Sequence, residues 1–409
     1  GIHVAGRSRW WPLLATGAWV GVEYAASRFP FGGFGWLRLG YTMVDAPLAG
    51  LLPLVGVAGT SLATALAAHL LAWFIARRDL QRLVVSAGGS ALIGALAVAG
   101  SALPPSQAQG VASVGWVQGG APGGGVYGLG PPRTSTTTQA AATRRLAADI
   151  TAGRQPAPDF VVWPENSTDL DPGTDAPTGA LVDASRAALG RPLLIGAILD
   201  GPGPQERRTA SQWIDSDGTI GATYIKRSIV PFGEWIPYRD LLLPLIPALR
   251  YIGSQSVPGT QPGLLYVTLP DGRPVTLGVL SCFDVAFDPV VHDLADAQLL
   301  IVQSSNAMYQ GTTQIEQQFA ITRARAAELR REILVVTTSG VSGVIDPYGA
   351  VTMRDTGPGP AYGVVELPLR VGTTPAARLG AQLERAVTIV TALWIVALAA
   401  GRRRILVRS

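Results

Sequence analysis

Three residues stand out by type and by position. Cys282 is the only cysteine among 409 residues, so it cannot form an internal disulfide and serves either packing or reactivity. It closes the stretch VTLGVLSCFD (275–284), an apolar run that reads as a buried strand entering a sharp turn, with Gly278 letting a neighbour approach closely. Glu165 follows DFVVWP (159–164), a short buried-strand signal whose ladder ends at Pro164 because proline has no N–H to donate. Lys226 lies in YIKRSIVPFGEW (224–235) and is the chain's one lysine among 32 Lys+Arg, which leaves 31 arginines. A chain that fills nearly every positive position with Arg uses an amine here. Ammonium is a compact point charge, whereas guanidinium is a wide fork that is always charged. The bland readings are a buried small hydrophobe, a solvated loop carboxylate and a surface lysine. Taken together, a thiol, a carboxylate and an amine at strand ends are what acyl transfer through a thioester requires: a nucleophile, a base to ionise it, and positive charge where the oxyanion forms.

WPE (163–165), Y-x-K-x-x-x-V-P-F-G-E (224–234), the Cys282 turn and SGVSGVIDPYG (339–349) occur in order and at sensible spacing. They resemble the Glu-Lys-Cys triad of the nitrilase superfamily. Within it they are most similar to the apolipoprotein N-acyltransferases, in an actinobacterial-like, N-terminally truncated form. The resemblance implies an α/β fold, the nitrilase-type α-β-β-α sandwich, inserted between transmembrane helices. It makes Cys282 the nucleophile and Glu165 the base. Lys226 and the backbone N–H of Phe283 become the oxyanion donors. Glu234 matches a second family carboxylate that positions Lys226 or the incoming amine. Asp284 stands where the family usually has Glu. Met308, with Tyr309 beside it, takes the place of a family aromatic, and either would line an acyl path. The implied acyl donor is a phospholipid, and the acceptor is the α-amino group of an apolipoprotein's diacylglyceryl-cysteine, in ping-pong order. Some actinobacterial relatives are linked to a polyprenol-phosphate mannosyltransferase, which makes that enzyme a further expected partner. No cofactor is implied, and three scattered His with one Cys cannot make a zinc site.

The surrounding chain is built for a membrane. Hydrophobic residues make up 48% and charged residues 15%, and mean hydropathy is +0.29. Net charge is +4, yet the arginines are scattered or flank apolar runs, so no nucleic-acid site is expected. Apolar runs at 10–26, 54–76, 83–103 and 383–400 predict membrane spans. Glu23 in the first run faces a protein interior or reaches the interface. Arg7 and Arg9, then Arg77, Arg78 and Arg82, and finally Arg402, Arg403, Arg404 and Arg408 flank these runs on sides that alternate consistently. The positive-inside rule then puts both ends in the cytoplasm. The expected organisation is a membrane domain over 1–103 with an aromatic outer loop (29–41), an extracytoplasmic catalytic domain over 104–380, and a C-terminal helix with a basic tail over 381–409. The protein is thus expected in the cell (inner or plasma) membrane.

Strand signals at 111–117, 193–199, 209–214, 219–225, 264–269, 274–280, 299–303, 333–338 and 341–345 alternate with helical ones at 139–151 and 312–331, an α/β layered pattern. Residues 241–252 read as an apolar, proline-containing loop. Two other functions remain open on the residues alone. A membrane-tethered nitrilase-like amidase hydrolysing a small amide would share the triad, and an inert scaffold would not need it. Spans on both sides of the block and the apolar loop favour a lipid substrate.

Overall fold

The computed structural model describes residues 10–123 and 130–406, and Arg7, Arg9 and Arg408 lie outside them. The chain forms two compact units: Gly1–Pro104 with Ala327–Arg330 and Thr373–Ser409, and Pro105–Ala326 with Arg331–Gly372.

The first unit contains helices α1 (Trp11–Ala26), α2 (Leu52–Arg77) and α3 (Leu80–Ser101), and a C-terminal helix, Pro375–Leu406. Among the described residues, three segments are long and apolar enough to cross a membrane: Pro47–Ala76, Leu80–Ser101 and Pro375–Ala400. The run expected to give the first span forms α1, whose 16 residues reach about 24 Å at 1.5 Å per residue, short of the roughly 30 Å hydrocarbon core. Glu23 faces the interior of this unit. It is buried and accepts hydrogen bonds from Trp19 Nε1 (2.8 Å) and Leu39 N (2.9 Å). The C-terminal helix begins at Pro375, earlier than the apolar run alone suggests.

The second unit is a two-sheet sandwich. In chain order it contains β1 (Gln107–Gln118), α4 (Thr134–Thr151), β2 (Phe160–Val162), α5 (Ala176–Leu189), β3 (Leu193–Asp200), β4 (Glu206–Ile214), β5 (Ile220–Ile225), β6 (Gln255–Ser256), β7 (Leu264–Thr268), β8 (Pro274–Ser281), β9 (Leu299–Ser304), α6 (Gln314–Leu329), β10 (Ile333–Thr337), β11 (Ser342–Ile345), β12 (Val351–Asp355) and β13 (Ala361–Val371). One sheet has the order β13-β1-β2-β3-β4-β5, with β6 beside β4, and the other β12-β11-β10-β9-β8-β7. Strand periodicity separates the layers. On β2, Phe160 and Val162 join Val114 and Trp116 of β1, Leu277 and Val279 of β8, and Leu334 of β10 in the core between the sheets. Val161 and Trp163 point the other way, onto Ala142 and Leu146 of α4 and Val182 of α5. Strands buried on both faces read as unbroken apolar runs, which is why 160–163 carried a strong signal. With α6 packed on the second sheet, where Phe319 closes over Gly343, the layers are α-β-β-α.

The sequence missed several elements. The core does not end at β11: β12 extends the second sheet and β13 pairs antiparallel with β1 along most of its length. β13 hides its strand character behind Glu366, Pro368 and Arg370. Residues 241–252 are not simply a loop, since Arg239–Leu245 is helical and Pro247–Tyr251 is a 3-10 turn. Pro244 near the end of that helix masks the signal.

Gly278 lies at the centre of β8. A Cβ there would come within 2.6 Å of Leu300 Cδ2 and 2.7 Å of Ala297 Cβ. Gly278→Val should therefore destabilise the sandwich by about 1–3 kcal/mol through overpacking. The measurement is the denaturation midpoint in detergent, and an unchanged midpoint would show that this contact has slack.

Candidate active site

Each candidate residue sits just past a strand end, where the ladder stops and a side chain can leave the sheet. Glu165 follows β2 and Pro164 and is 3% exposed. Its Oε2 accepts from the backbone N of Ser305 (2.8 Å). Its Oε1 accepts from Lys226 Nζ (2.8 Å) and Ser281 Oγ (2.7 Å). Lys226 follows β5 directly. Its N–H donates to the Thr209 carbonyl and its own carbonyl accepts from Gly259, so the backbone is tied on both sides. The ammonium is buried and reaches Glu234 Oε2 at 2.9 Å as well. Glu234 is oriented in turn by the backbone N of Val230 (2.9 Å). Burial alone would lower the ammonium's pKa. The facing carboxylates of Glu165 and Glu234 overcome that and hold it well above its ordinary value.

Cys282 follows β8 and opens a 3-10 turn, Cys282–Ala286. Its φ of 47° is in the left-handed region, a conformation that costs a non-glycine residue about 1–3 kcal/mol and persists only where its surroundings enforce it. Asp284 supplies that enforcement. Its carboxylate accepts from Ser281 N (3.0 Å), Ser228 N (2.9 Å) and Tyr224 OH (2.8 Å), tying the turn to the segment around Lys226. Burial raises the Asp284 pKa against the pull of Lys226. The Tyr224 hydroxyl is raised by burial and by Asp284. Gln318 Nε2 donates to Cys282 Sγ at 3.3 Å. Burial, reinforced by the Glu165 charge and opposed by Lys226, pushes the thiol's pKa up to about 12. At rest the sulfur is therefore a neutral thiol beside a carboxylate, the arrangement suited to proton transfer at the moment of attack.

The remaining candidates fall into place unevenly. Phe283 is buried and packs edge-on to Phe287, with ring centroids 4.9 Å apart. Met308 and Tyr309 lie on a 3-10 turn after β9. Met308 is 38% exposed, whereas the Tyr309 hydroxyl is pushed up to about 12 by burial and then by the Cys282 charge. Tyr309 is thus within electrostatic reach of the sulfur. Among the described residues, no His, Cys, Asp and Glu cluster is arranged to hold a metal ion. Sequence reasoning missed Ser281, Ser305, Gln318 and Gln303, whose Nε2 donates to the Trp163 carbonyl (2.6 Å) and links the two sheets behind the site. Gln318 did leave a trace: it is a polar residue on the α6 stripe that also carries Ile315 and Phe319.

Comparison with known proteins gives the family. Residues 1–70 match the family described as Apolipoprotein N-acyltransferase N-terminal domain, and residues 130–369 match Carbon-nitrogen hydrolase. The chain is 34% identical to the Apolipoprotein N-acyltransferase of Mycolicibacterium smegmatis over 64% of its own length and 44% of that protein's. It is 28% identical to that of Pseudomonas aeruginosa over 84% of its own length and 65% of the relative's. It thus spans about half to two thirds of the relatives it matches. An amidase from Nesterenkonia is similar to it at 19% identity and a TM-score of 0.46, covering 69% of this chain and 97% of that one. The 130–369 match takes in more than half of the chain, including Glu165, Lys226 and Cys282, so the chain belongs to the carbon-nitrogen hydrolase family.

Proposed function

We propose that this protein is a membrane N-acyltransferase that moves an acyl chain from a phospholipid to the α-amino group of the diacylglyceryl-cysteine of apolipoproteins. The observation that carries the reading is the match of residues 1–70 to the Apolipoprotein N-acyltransferase N-terminal domain, joined in one chain to the buried Glu165–Lys226–Cys282 cluster. An amidase acting on a small soluble amide has no use for such a membrane unit.

In the first half-reaction Glu165 takes the Cys282 proton as Sγ bonds to the ester carbon, and the carbonyl electron pair moves onto oxygen. Lys226 and the Phe283 N–H stabilise that oxyanion. Collapse expels the lysophospholipid oxygen, which takes the proton back from Glu165. In the second half-reaction the amine attacks the thioester and gives its proton to Glu165. Sγ leaves as thiolate and recovers that proton. Glu234 holds Lys226 as a second carboxylate at 2.9 Å, and Asp284 holds the turn. Tyr309 and Met308 border the acyl path. The proposal includes a multi-pass topology with cytoplasmic ends, residues 104–380 outside, and membrane domains over 1–103 and 381–409. Nothing observed argues for adding a polyprenol-phosphate mannosyltransferase as a partner.

Incubation with phospholipid should add one acyl mass to the protein as a hydroxylamine-labile thioester on Cys282, and an amidase or an inert scaffold would stay unlabelled. Cys282→Ser should abolish turnover with the fold intact, because a hydroxyl is the weaker nucleophile beside a carboxylate base. A variant keeping a tenth of the wild-type rate would refute the assignment.

Lys226→Arg should be nearly as damaging as Lys226→Ala. The ammonium fits between carboxylates 2.8 and 2.9 Å away, and a planar fork there would pair with the base instead of pointing at the oxyanion. Loss of an oxyanion donor costs about 100- to 1000-fold. Single-turnover acylation measures it, and an Arg variant within about threefold of wild type would reduce Lys226 to a generic cation.

A membrane-impermeant protease should cut within 130–370 on spheroplasts without permeabilisation. Protection of that block would reverse the topology.

A further inference from the structure

The nucleophile has a hydrogen-bond donor that the triad does not account for. Gln318 is 4% exposed, and its Nε2 lies 3.3 Å from Cys282 Sγ. An amide can present either end, so its orientation matters. Ser304, fully buried at the end of β9, donates from Oγ to Gln318 Oε1 at 3.0 Å. With the oxygen so engaged, the N–H₂ end faces the sulfur. Helix α6 carries Gln318 into the interior beside Ile315 and Phe319, where it lines a small cavity with Asn306 and Thr322.

We propose that Gln318, with its amide locked by Ser304, is the donor that stabilises the Cys282 thiolate as it forms during acylation and as it leaves during deacylation. A donor to the ionised sulfur favours that form over the thiol. The charged and titratable groups around the sulfur are Glu165 from the β2 end, Lys226 and Glu234 from the segment after β5, Tyr309 after β9, and Asp284 on the same turn. Lys226 is shared between two carboxylates, which weakens its pull on the sulfur. Burial and Glu165 oppose ionisation, and with the single Ser304 hydroxyl hydrogen engaged by Gln318 Oε1, the Gln318 amide is the uncharged donor to the sulfur. Gln318 is a neutral donor whose effect does not depend on any of these charges.

This rests on Cys282 as the nucleophile, and the test separates the two ideas because the chain has a single cysteine. The alkylation rate of Cys282 in the detergent-solubilised protein is followed by intact mass from pH 6 to 10, with iodoacetamide and with the bulkier N-ethylmaleimide. Gln318→Met keeps the volume and removes the donor. It should slow alkylation at pH 8 about tenfold, by the same factor for both reagents, since a hydrogen bond to a charged group is worth about one pKa unit or more. Gln318→Glu should slow it further above the pH at which the new carboxyl ionises, giving the variant a break in its pH profile that wild type lacks. Ser304→Ala, which frees the amide to turn, should give a smaller drop, about threefold. If Gln318→Met loses its cooperative unfolding transition, the pH profile of Gln318→Glu decides alone. Unchanged rates, or a factor that differs between the two reagents and so reports access, overturn the proposal. If wild type alkylates as described but never takes an acyl group from phospholipid, the proposed function falls and the Gln318 assignment stands.

Discussion

The interaction on which the site depends is a buried cation held between two carboxylates. Lys226 is 1% exposed and Glu165 is 3% exposed. Taking such charges out of water costs several kcal/mol each unless pairing and hydrogen bonds compensate. Compensation is nearly complete here. Glu165 accepts from Lys226, Ser281 and Ser305, and Glu234 accepts from Lys226 and Val230. Removing one partner would leave a buried, unmatched charge, typically a loss of about 3–5 kcal/mol. The cluster is therefore a structural joint as well as a chemical one: its three charges come from one sheet, and Ser281 and Ser305 bring donors to Glu165 from strand ends of the other.

A second constraint acts on the backbone. The left-handed Cys282 turn stores strain, and Asp284 anchors it with three hydrogen bonds, two from the segment 224–228. The segment that positions the cation thus also fixes the turn that positions the sulfur. A carboxylate one methylene shorter than Glu can do this because its acceptors meet donors already pinned by β5 and β8.

Much of the site was legible in the sequence because its members are singular in type. One cysteine and one lysine draw the eye, and the apolar run 160–163 marks a strand buried on both faces. The alternation that sorts Val161 from Val162 is likewise local. What was not legible depends on distance along the chain. β13 is a strand because β1 offers it a register, and Pro368 and the flanking charges hide that locally. Asp284 reads as an ordinary carboxylate until Tyr224 and Ser228, 60 and 56 residues away in the chain, close on it. Ser281 and Gln318 belong to common residue types, and only three-dimensional packing reveals what they touch.

The resting protonation state of Cys282 also bears on how long the protein lasts. Oxidants and disulfides react with thiolates far faster than with thiols. Burial, reinforced by the Glu165 charge, holds the sulfur in its thiol form at neutral pH. It is also 8% exposed. A lone cysteine in such a setting resists sulfenic acid formation and adventitious cross-linking.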